Sequence, residues 1–296
     1  MNIPEILRAL SRKTPAGIKR LIPDGVFVSL MYYASYGKLP DLKNPITFDE
    51  KIQWYKLHHR NPLMTVMADK IKSRDYVRSL GYDHILNEVY FIKSELGYRD
   101  FDNLPDKCVI KANHGSDMNI FYDKKNNANI DEMVKTMKKW LRINRFDHTR
   151  EWSYKNIEPA VICEKFLINK ELGELVDYKF YCYDGKPEVL FVCAGRFSKD
   201  GVKYNAYDMD WNRIYVTKGK PGLDIEFEKP DNFEELKKTA AALSKGFPFV
   251  RVDLYSVEGK VYFSEFTFYP DTGVIPFSPD EYNKFFGDFF NPTPVI

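Results

Sequence analysis

The sequence lacks the paired cysteines that mark zinc-binding and disulfide-rich proteins. Its four cysteines stand singly in apolar segments and form no CxxC pair: Cys108, Cys163, Cys182 and Cys193. Structural zinc sites usually carry closely spaced cysteine pairs. We therefore expect buried free thiols in a reducing compartment.

Long apolar runs and a strong excess of charge are also missing. The longest early apolar stretch, VFVSLMYYAS, has ten residues, about half of the ~20 that a transmembrane helix needs. The opening MNIPEILRALSRK has no apolar core ahead of a cleavage site, so we expect no secretory signal. The formal net charge is +2, which does not point to a nucleic-acid partner. Together these absences predict a cytoplasmic protein.

Aromatic residues are abundant, and the order of the sequence patterns predicts an α+β fold. Phe and Tyr number 22 and 20 in the 296 residues, and aromatic residues favour strands and buried cores. Helical patterns dominate the first part, where Thr47 and Glu50 form a capping-box motif and residues 63–81 predict one helix ending at Gly81. From residue 160 onward strand patterns dominate, which favours an antiparallel sheet.

Basic residues recur along the first twenty positions: Arg8, Arg12, Lys13, Lys19 and Arg20. The simpler interpretation is the solvated face of a helix. The alternative is a peripheral contact with anionic lipid or with a membrane-bound partner.

The most strand-like segment, FVRVDLYSVEGKVYFSEFTFYPDTG (249–273), contains charged residues where apolar ones are expected. Alternation places Arg251 and Asp253 on one face of the first strand, and Val261, Phe263, Glu265 and Thr267 on one face of the second. Asp253 lies opposite Glu265 only if the connecting loop has three residues or the ladder contains an equivalent bulge. A plain two-residue turn at Glu258–Gly259 would place the carboxylates on opposite faces.

Two opposed carboxylates require a positive partner, because burying them unpaired is costly. Mg²⁺ is one candidate, since proteins hold it with one or two carboxylates together with substrate phosphates. In the alternative, Arg251 pairs with one carboxylate and the other faces solvent. These residues alone leave both interpretations open.

Three further motifs carry candidate chemistry. In VIKANHGSDMN, Lys111 ends a strand and precedes a small polar loop that can bind phosphate, although it is not a Walker A motif and an ordinary turn is the simpler interpretation. VICEKFL is an apolar strand that ends at Glu164. YDMDWN contains an Asp-x-Asp pair, Asp208 and Asp210, which occurs in glycosyltransferases and commonly forms only a turn.

Read in chain order, these motifs resemble those of the ATP-grasp superfamily, and more narrowly of the TupA-like ATP-grasp family. The resemblance extends over about residues 40–285, through NPITFDEKIQWYKLHHRNPL, DKIKSRDYV, LPDKCVIKANHGS, DYKFYCYDGKPE, YDMDWN and VRVDLYSVEGKVYFSEFTFYP. It implies an ATP-grasp fold with two α+β subdomains that enclose ATP. The expected boundaries are a helical segment at 1–60, an N-terminal subdomain at 61–166 and a C-terminal subdomain at 167–296.

The resemblance also implies roles for individual residues. ATP binding would fall to Lys70, Lys111, His114, Gly115, Ser116, Glu164, Lys165, Phe166, Leu167, Asp177 and Lys179. Within that set Lys70 and Lys111 would contact phosphates, 164–167 would bind adenine through backbone groups, and Asp177 would lie near the ribose. Mg²⁺ would be held by Asp253, Glu265 and Thr267, and the catalytic residues would be Arg251 and Lys111.

The implied activity is an ATP- and Mg²⁺-dependent carboxylate–amine ligase. In the family's setting it would join an amino acid or amine to a uronic-acid carboxylate of a surface polysaccharide. The alternatives are a glycosyltransferase, a phosphotransferase or a non-catalytic nucleotide-binding scaffold. Thr267 departs from the Asn found in many superfamily members, and a second Mg²⁺ is therefore not implied.

Overall fold

The computed structural model describes residues 16–126, 129–170, 173–195, 201–219, 222 and 226–295. The predicted helix at the start of the chain, with Arg8, Arg12 and Lys13, lies outside the described residues. Lys19 and Arg20 are described, and both contact the helix at 145–149: Lys19 Nζ lies 2.9 Å from His148 Nδ1, and Arg20 forms two hydrogen bonds with Asp147.

The helices lie mostly before and between the strands. In chain order they are α1 (Ala16–Arg20), α2 (Asp24–Tyr36), α3 (Phe48–His58), α4 (Pro62–Ala68), α5 (Lys72–Ser79), α6 (Ile130–Trp140), α7 (Arg145–Thr149), α8 (Phe233–Leu243) and α9 (Glu281–Phe289). Short 3₁₀ turns occur at Asp83–Ile85, Tyr98–Phe101, Lys124–Asn126, Trp152–Tyr154 and Pro270–Gly273.

The described strands form three antiparallel sheets. They are β1 (Val89–Lys93), β2 (Lys107–Ala112), β3 (Asn119–Asp123), β4 (Val161–Lys165), β5 (Asp177–Tyr183), β6 (Lys186–Ala194), β7 (Lys203–Tyr207), β8 (Arg213–Ile214), β9 (Thr217–Lys218), β10 (Phe249–Val257), β11 (Lys260–Thr267) and β12 (Phe277–Ser278). The first sheet has the order β1-β4-β2-β3, the second β11-β10-β5-β6-β7-β8, and β12 pairs with β9. This arrangement confirms the predicted α+β class.

Each of the two larger sheets has its own hydrophobic core. Val134 and Met137 of α6 pack on the four-stranded sheet. Phe48, Ile52 and Tyr55 of α3 are fully buried in the core of the six-stranded sheet. The capping box that positions α3 is confirmed, because Thr47 accepts from the Glu50 amide and Glu50 accepts from the Thr47 amide.

The single helix predicted for 63–81 is wrong, since the chain forms α4 and α5 with a break between them. Asp69 Oδ1 accepts hydrogen bonds from the Ile71 and Lys72 amides at 2.8 and 3.3 Å and so starts α5 anew. The Lys70 amide donates to the Asn113 carbonyl oxygen at 3.1 Å. The break therefore attaches Lys70 to the loop that follows β2.

The four cysteines are buried and unpaired, as the sequence predicts. No described helix combines the length and the apolar character that crossing a bilayer requires.

Candidate functional site

A cavity with a volume of about 390 Å³ lies between the two larger sheets. Lys111 of β2 and Phe121 of β3 line it from one side, and Lys179 of β5 and Arg251 of β10 from the other. The residues predicted for the site that line this cavity are Lys70, Lys111, Ser116, Lys165, Phe166, Leu167, Asp177, Lys179, Arg251, Glu265 and Thr267. Segments far apart in the sequence thus converge on one cleft.

The β10–β11 hairpin places Asp253 directly opposite Glu265. The turn is the two-residue Glu258–Gly259 type, with φ of 52° and 74°, but the register shifts between Asp253 and Leu254. This shift is the bulge that the sequence argument required, with Ser264 as the extra residue. The predicted shared face of β11 is wrong, because Phe263 lies opposite Leu254 and is buried in the core, whereas Glu265 and Thr267 line the cavity.

Asp253 is fully buried beneath the cavity and is held by two cations. Arg251 contacts both carboxylate oxygens, through Nε at 2.7 Å and Nη2 at 2.8 Å. Lys179 Nζ lies 2.6 Å from Oδ2. Arg251 Nη2 also donates to Thr267 Oγ1 at 3.0 Å. The alternative interpretation, in which Arg251 pairs with one of the two carboxylates, is therefore correct for Asp253.

Glu265 does not simply face solvent, because Lys70 contacts it. Lys70 Nζ lies 3.0 Å from Glu265 Oε2 and donates to the Gly115 carbonyl oxygen at 2.8 Å. Burial would raise the pKa of Glu265, but the charges of Lys70, Lys179 and Arg251 together outweigh burial and hold the pKa well below its usual value. Lys70 thereby connects the hairpin to the loop after β2.

Lys111 and Arg74 share a second carboxylate on the other side of the cavity. Lys111 Nζ lies 2.6 Å from Glu164 Oε2, and Arg74 Nη1 lies 3.0 Å from Glu164 Oε1. Arg74 also donates to the Asn87 carbonyl oxygen at 2.5 Å. Burial would lower the pKa of Lys111, yet Glu164, together with Tyr255 and Glu265, outweighs burial and raises the pKa above the ordinary value. Lys111 therefore carries its positive charge at neutral pH.

Asp177 and Lys179 are two positions apart on β5, and both line the cavity. Their charged atoms lie 3.7 Å apart. Burial opposes the charge of Lys179, but Asp177 and then Asp253 raise its pKa above the ordinary value. β4 ends at Lys165, and Phe166 and Leu167 continue into the cavity wall.

His114 lies away from the cavity. Its ring is buried, with Nε2 3.2 Å from the Trp140 carbonyl oxygen and Nδ1 3.2 Å from Asn113 Oδ1. Of the same loop, Ser116 lines the cavity and Gly115 contributes its carbonyl oxygen to Lys70.

The Asp-x-Asp pair lies outside the cavity lining and forms a turn. Asp208 Oδ1 accepts from the amides of Asp210 and Asn212 at 2.9 and 2.7 Å, and its Oδ2 accepts from the Asn212 side chain. Because the turn uses both oxygens of Asp208, the motif is explained by local structure.

The cavity-wall residues that sequence reasoning missed include Arg145, Glu151, Tyr154 and Asp271. Arg145 donates to both carboxylate oxygens of the buried Glu151, at 2.8 and 3.1 Å. Only Asp271 carries a usable sequence signal, since it follows the charged hairpin within TFYPDTG.

The oxygen donors of the hairpin fit Mg²⁺ in chemical type. Asp253 and Glu265 are paired across the strands, and the Thr267 hydroxyl lies on the same face as Glu265. Hard oxygen ligands of this kind, one or two carboxylates completed by substrate phosphates, are typical of Mg²⁺. No cluster of three or more His, Cys, Asp or Glu side chains suited to a metal occurs in the part of the chain that the structure describes.

Two antiparallel sheets with a lysine-lined cleft between them define an ATP-grasp fold. More narrowly, the chain belongs to the TupA-like ATPgrasp family, whose model matches residues 50–291. A search of curated proteins finds no match.

Solved structures with some similarity include two classes of ligase. D-alanine–D-alanine ligase from Bacillus anthracis, complexed with ATP, is 18% identical over 68% of this chain and 55% of its own, with a TM-score of 0.40. The D-alanine–D-alanine ligase from Helicobacter pylori is 12% identical over 83% and 69%, with a TM-score of 0.43. An L-amino acid ligase from Bacillus licheniformis is 15% identical over 99% and 62%, with a TM-score of 0.44. The chain thus spans little more than half the length of the first of these proteins.

Proposed function

We propose that this protein is an ATP- and Mg²⁺-dependent carboxylate–amine ligase that works through an acyl phosphate. Its substrates in this proposal are a uronic-acid carboxylate of a cell-surface polysaccharide and an amino acid or amine. The observation that carries the proposal is the convergence of Lys70, Lys111, Lys179 and Arg251 on one cleft beside the opposed Asp253 and Glu265, in a chain of the TupA-like ATPgrasp family.

The four cations suit a polyphosphate substrate. Lys70 and Lys111 approach the cleft from the break after α4 and from the end of β2, and Lys179 and Arg251 approach from the opposite sheet. Fixed positive groups in a partly enclosed cleft stabilise the charge that develops as a phosphoryl group is transferred. Adenine would lie against 165–167, whose side chains form the neighbouring wall.

The reaction needs ATP because a carboxylate is a poor electrophile. Transfer of the γ-phosphoryl group to a carboxylate oxygen gives an acyl phosphate and ADP. An amine that has lost the proton of its ammonium form then attacks the carbonyl carbon. The C–N bond forms, the C–O bond to phosphate breaks, phosphate leaves, and the nitrogen releases a second proton.

The roles of the cleft residues follow from their contacts. Arg251, fixed on Asp253 and Thr267, would orient the carboxylate that receives the phosphoryl group. Mg²⁺, held by Asp253, Glu265 and Thr267, would supply charge neutralisation at the phosphates. The loop 113–119 is attached to Lys70 and would help to exclude water from the acyl phosphate.

Calorimetry with and without Mg²⁺ tests the proposal on wild type and Glu265→Gln. Glu265 is the better target because its side chain is 26% exposed, whereas Asp253 is fully enclosed. Glu235→Gln, on the exposed side of α8, removes the same charge away from the cleft and is the matched control.

We expect Mg²⁺-dependent ATP binding in wild type and the control, and its loss or weakening in Glu265→Gln. Wild type that binds no ATP contradicts the proposal. ATP binding that is equally Mg²⁺-dependent in Glu265→Gln contradicts the ligand assignment. ADP and phosphate release with panels of uronic acids and amines then identifies the substrates.

A further inference from the structure

A second, smaller cavity of about 110 Å³ adjoins the main cleft. Four residues line both cavities and therefore mark the opening between them: Lys179, Val202, Arg251 and Asp271. Tyr181, Phe191 and Tyr204 line only the smaller one. Since a water molecule occupies ~30 Å³ in the liquid, this cavity has room for a small molecule and not for a sugar chain.

Asp271 lies on a backbone segment whose conformation is unusual for side chains with a Cβ atom. Asp271, Thr272 and Gly273 have consecutive φ values of 50°, 60° and 61°. A left-handed backbone conformation costs energy for residues other than glycine. Such residues persist where the surrounding structure holds them in that conformation. Strain of this kind is found most often at ligand sites.

A buried polar network holds the segment in place. Gln53 Nε2 donates to the carbonyl oxygens of Thr272 and Gly273 at 3.0 and 2.6 Å. Lys56 Nζ donates to the Thr272 carbonyl oxygen at 2.6 Å. The Thr272 hydroxyl donates to Glu151 Oε1 at 2.7 Å. Helix α3 and Glu151, directly before the 3₁₀ turn at 152–154, together hold the backbone that follows Asp271.

Asp271 also differs in its pairing from four other carboxylates in and around the cleft. Asp253, Glu265, Glu164 and Glu151 each contact a Lys or Arg side chain. Among the described residues no ion pair engages the carboxylate of Asp271, which belongs to an exposed residue. An unpaired carboxylate at the mouth of a cavity attracts a cationic group.

We propose that Asp271 binds the ammonium group of the acceptor, and that the smaller cavity holds the rest of a small amino acid. The assignment rests on the proposed ligase function and names its amine substrate by class. Of the cations that line the smaller cavity, Lys218 lies away from this opening, so its charge favours a carboxylate at the other end of the ligand. A small amino acid carries both an ammonium group and a carboxylate group. Its amine would lie at the opening to the main cleft, where the acyl phosphate forms.

The test is an amino-acid titration of the full chain, followed by ligand-observed NMR in the presence of Mg²⁺ and a non-hydrolysable ATP analogue. The probes are glycine, L-alanine and D-alanine, with propionate and ethylamine as ligands that lack one charge. Asp271→Asn is the informative variant, because asparagine tolerates a left-handed backbone and keeps the shape of the side chain. Asp231→Asn, an exposed carboxylate outside both cavities, is the control.

We expect at least one of the amino acids to bind wild type and Asp231→Asn more tightly than propionate or ethylamine. Asp271→Asn should weaken that binding by about tenfold or more, the size expected for a charge-assisted hydrogen bond, while nucleotide affinity is unchanged. Wild type that binds nucleotide but no amino acid overturns the acceptor site alone, and so does equal amino-acid affinity in Asp271→Asn. Wild type that binds no nucleotide overturns the ligase function, and the acceptor assignment falls with it.

Discussion

Replacing Asp253 by asparagine should destabilise the fold strongly, independently of any effect on catalysis. The side chain is 0% exposed, and it accepts from Lys179 at 2.6 Å and from Arg251 at 2.7 and 2.8 Å. Without its charge, the remaining carboxylate partners are Asp177, 3.7 Å from Lys179, and Glu265, 3.7 Å from Arg251. Breaking a buried ion pair on one side costs about 3–5 kcal/mol, and we expect Asp253→Asn to lose that much.

Glu265→Gln provides the comparison, since it removes a carboxylate from the same hairpin at a more exposed position. Its partner Lys70 retains the Gly115 carbonyl oxygen as an acceptor. We therefore expect a loss of about 1–2 kcal/mol for Glu265→Gln.

Urea unfolding followed by tryptophan fluorescence measures both variants against wild type. A loss below about 1 kcal/mol for Asp253→Asn, or equal losses for the two variants, would refute the reasoning from burial and contacts. The expected result also means that lost ATP binding in Asp253→Asn cannot be assigned to a missing metal ligand unless the variant is shown to be folded.

Three other perturbations test separate parts of the structure. Lys111→Met should weaken ATP binding about tenfold or more in calorimetry. Lys107→Met, at the exposed start of the same strand, should leave ATP binding unchanged. Equal effects of the two substitutions would contradict the assignment of Lys111 to the ATP phosphates. Burial lowers the pKa of Lys56 to about 7, below its value in the unfolded chain. Between pH 7 and 10 the unfolded chain therefore binds one more proton, and the free energy of unfolding should rise by up to about 1.4 kcal/mol per pH unit. Urea unfolding at a series of pH values should show a smaller rise for Lys56→Met, and an equal rise would refute the assignment of a buried neutral amine. Gly273→Ala would place Cβ 2.5 Å from Ile52 Cγ2 at a φ of +61°. The control is Gly259→Ala, where the φ is +74° but nothing lies within 4 Å of the new Cβ. Calorimetric melting should show a much larger loss of stability for Gly273→Ala than for this control.

The hairpin could be predicted in detail because a buried face restricts register. Once Asp253 and Glu265 were taken as neighbours, period-two alternation left only a longer loop or a bulge, and the structure contains the bulge. Which of the two the chain uses was not predictable, because Glu258–Gly259 is an equally good two-residue turn sequence. Phe263 was assigned to the wrong face for the same reason.

Other features depend on partners that are distant in sequence. Local periodicity runs through Lys70, but Asn113 accepts from its amide and the helix breaks there. The backbone at Thr272, next to Asp271, is held by Gln53 and Lys56, which precede it by more than two hundred positions. No local pattern carries such information, and propensity is overridden by tertiary contacts.

The bulge at Ser264 shifts the pairing register of the hairpin by one residue. Pairs from Leu254–Phe263 out to Val257–Lys260 follow one register, and Asp253–Glu265 and the pairs below it follow another. A regular ladder that paired Ser264 with Asp253 would turn the Glu265 carboxylate away from the cleft, whereas adding residues in matched pairs at Glu258–Gly259 would lengthen the ribbon and leave the lower register untouched. The tip of the hairpin is consequently the place to graft an epitope or a fluorophore without disturbing the acidic pair.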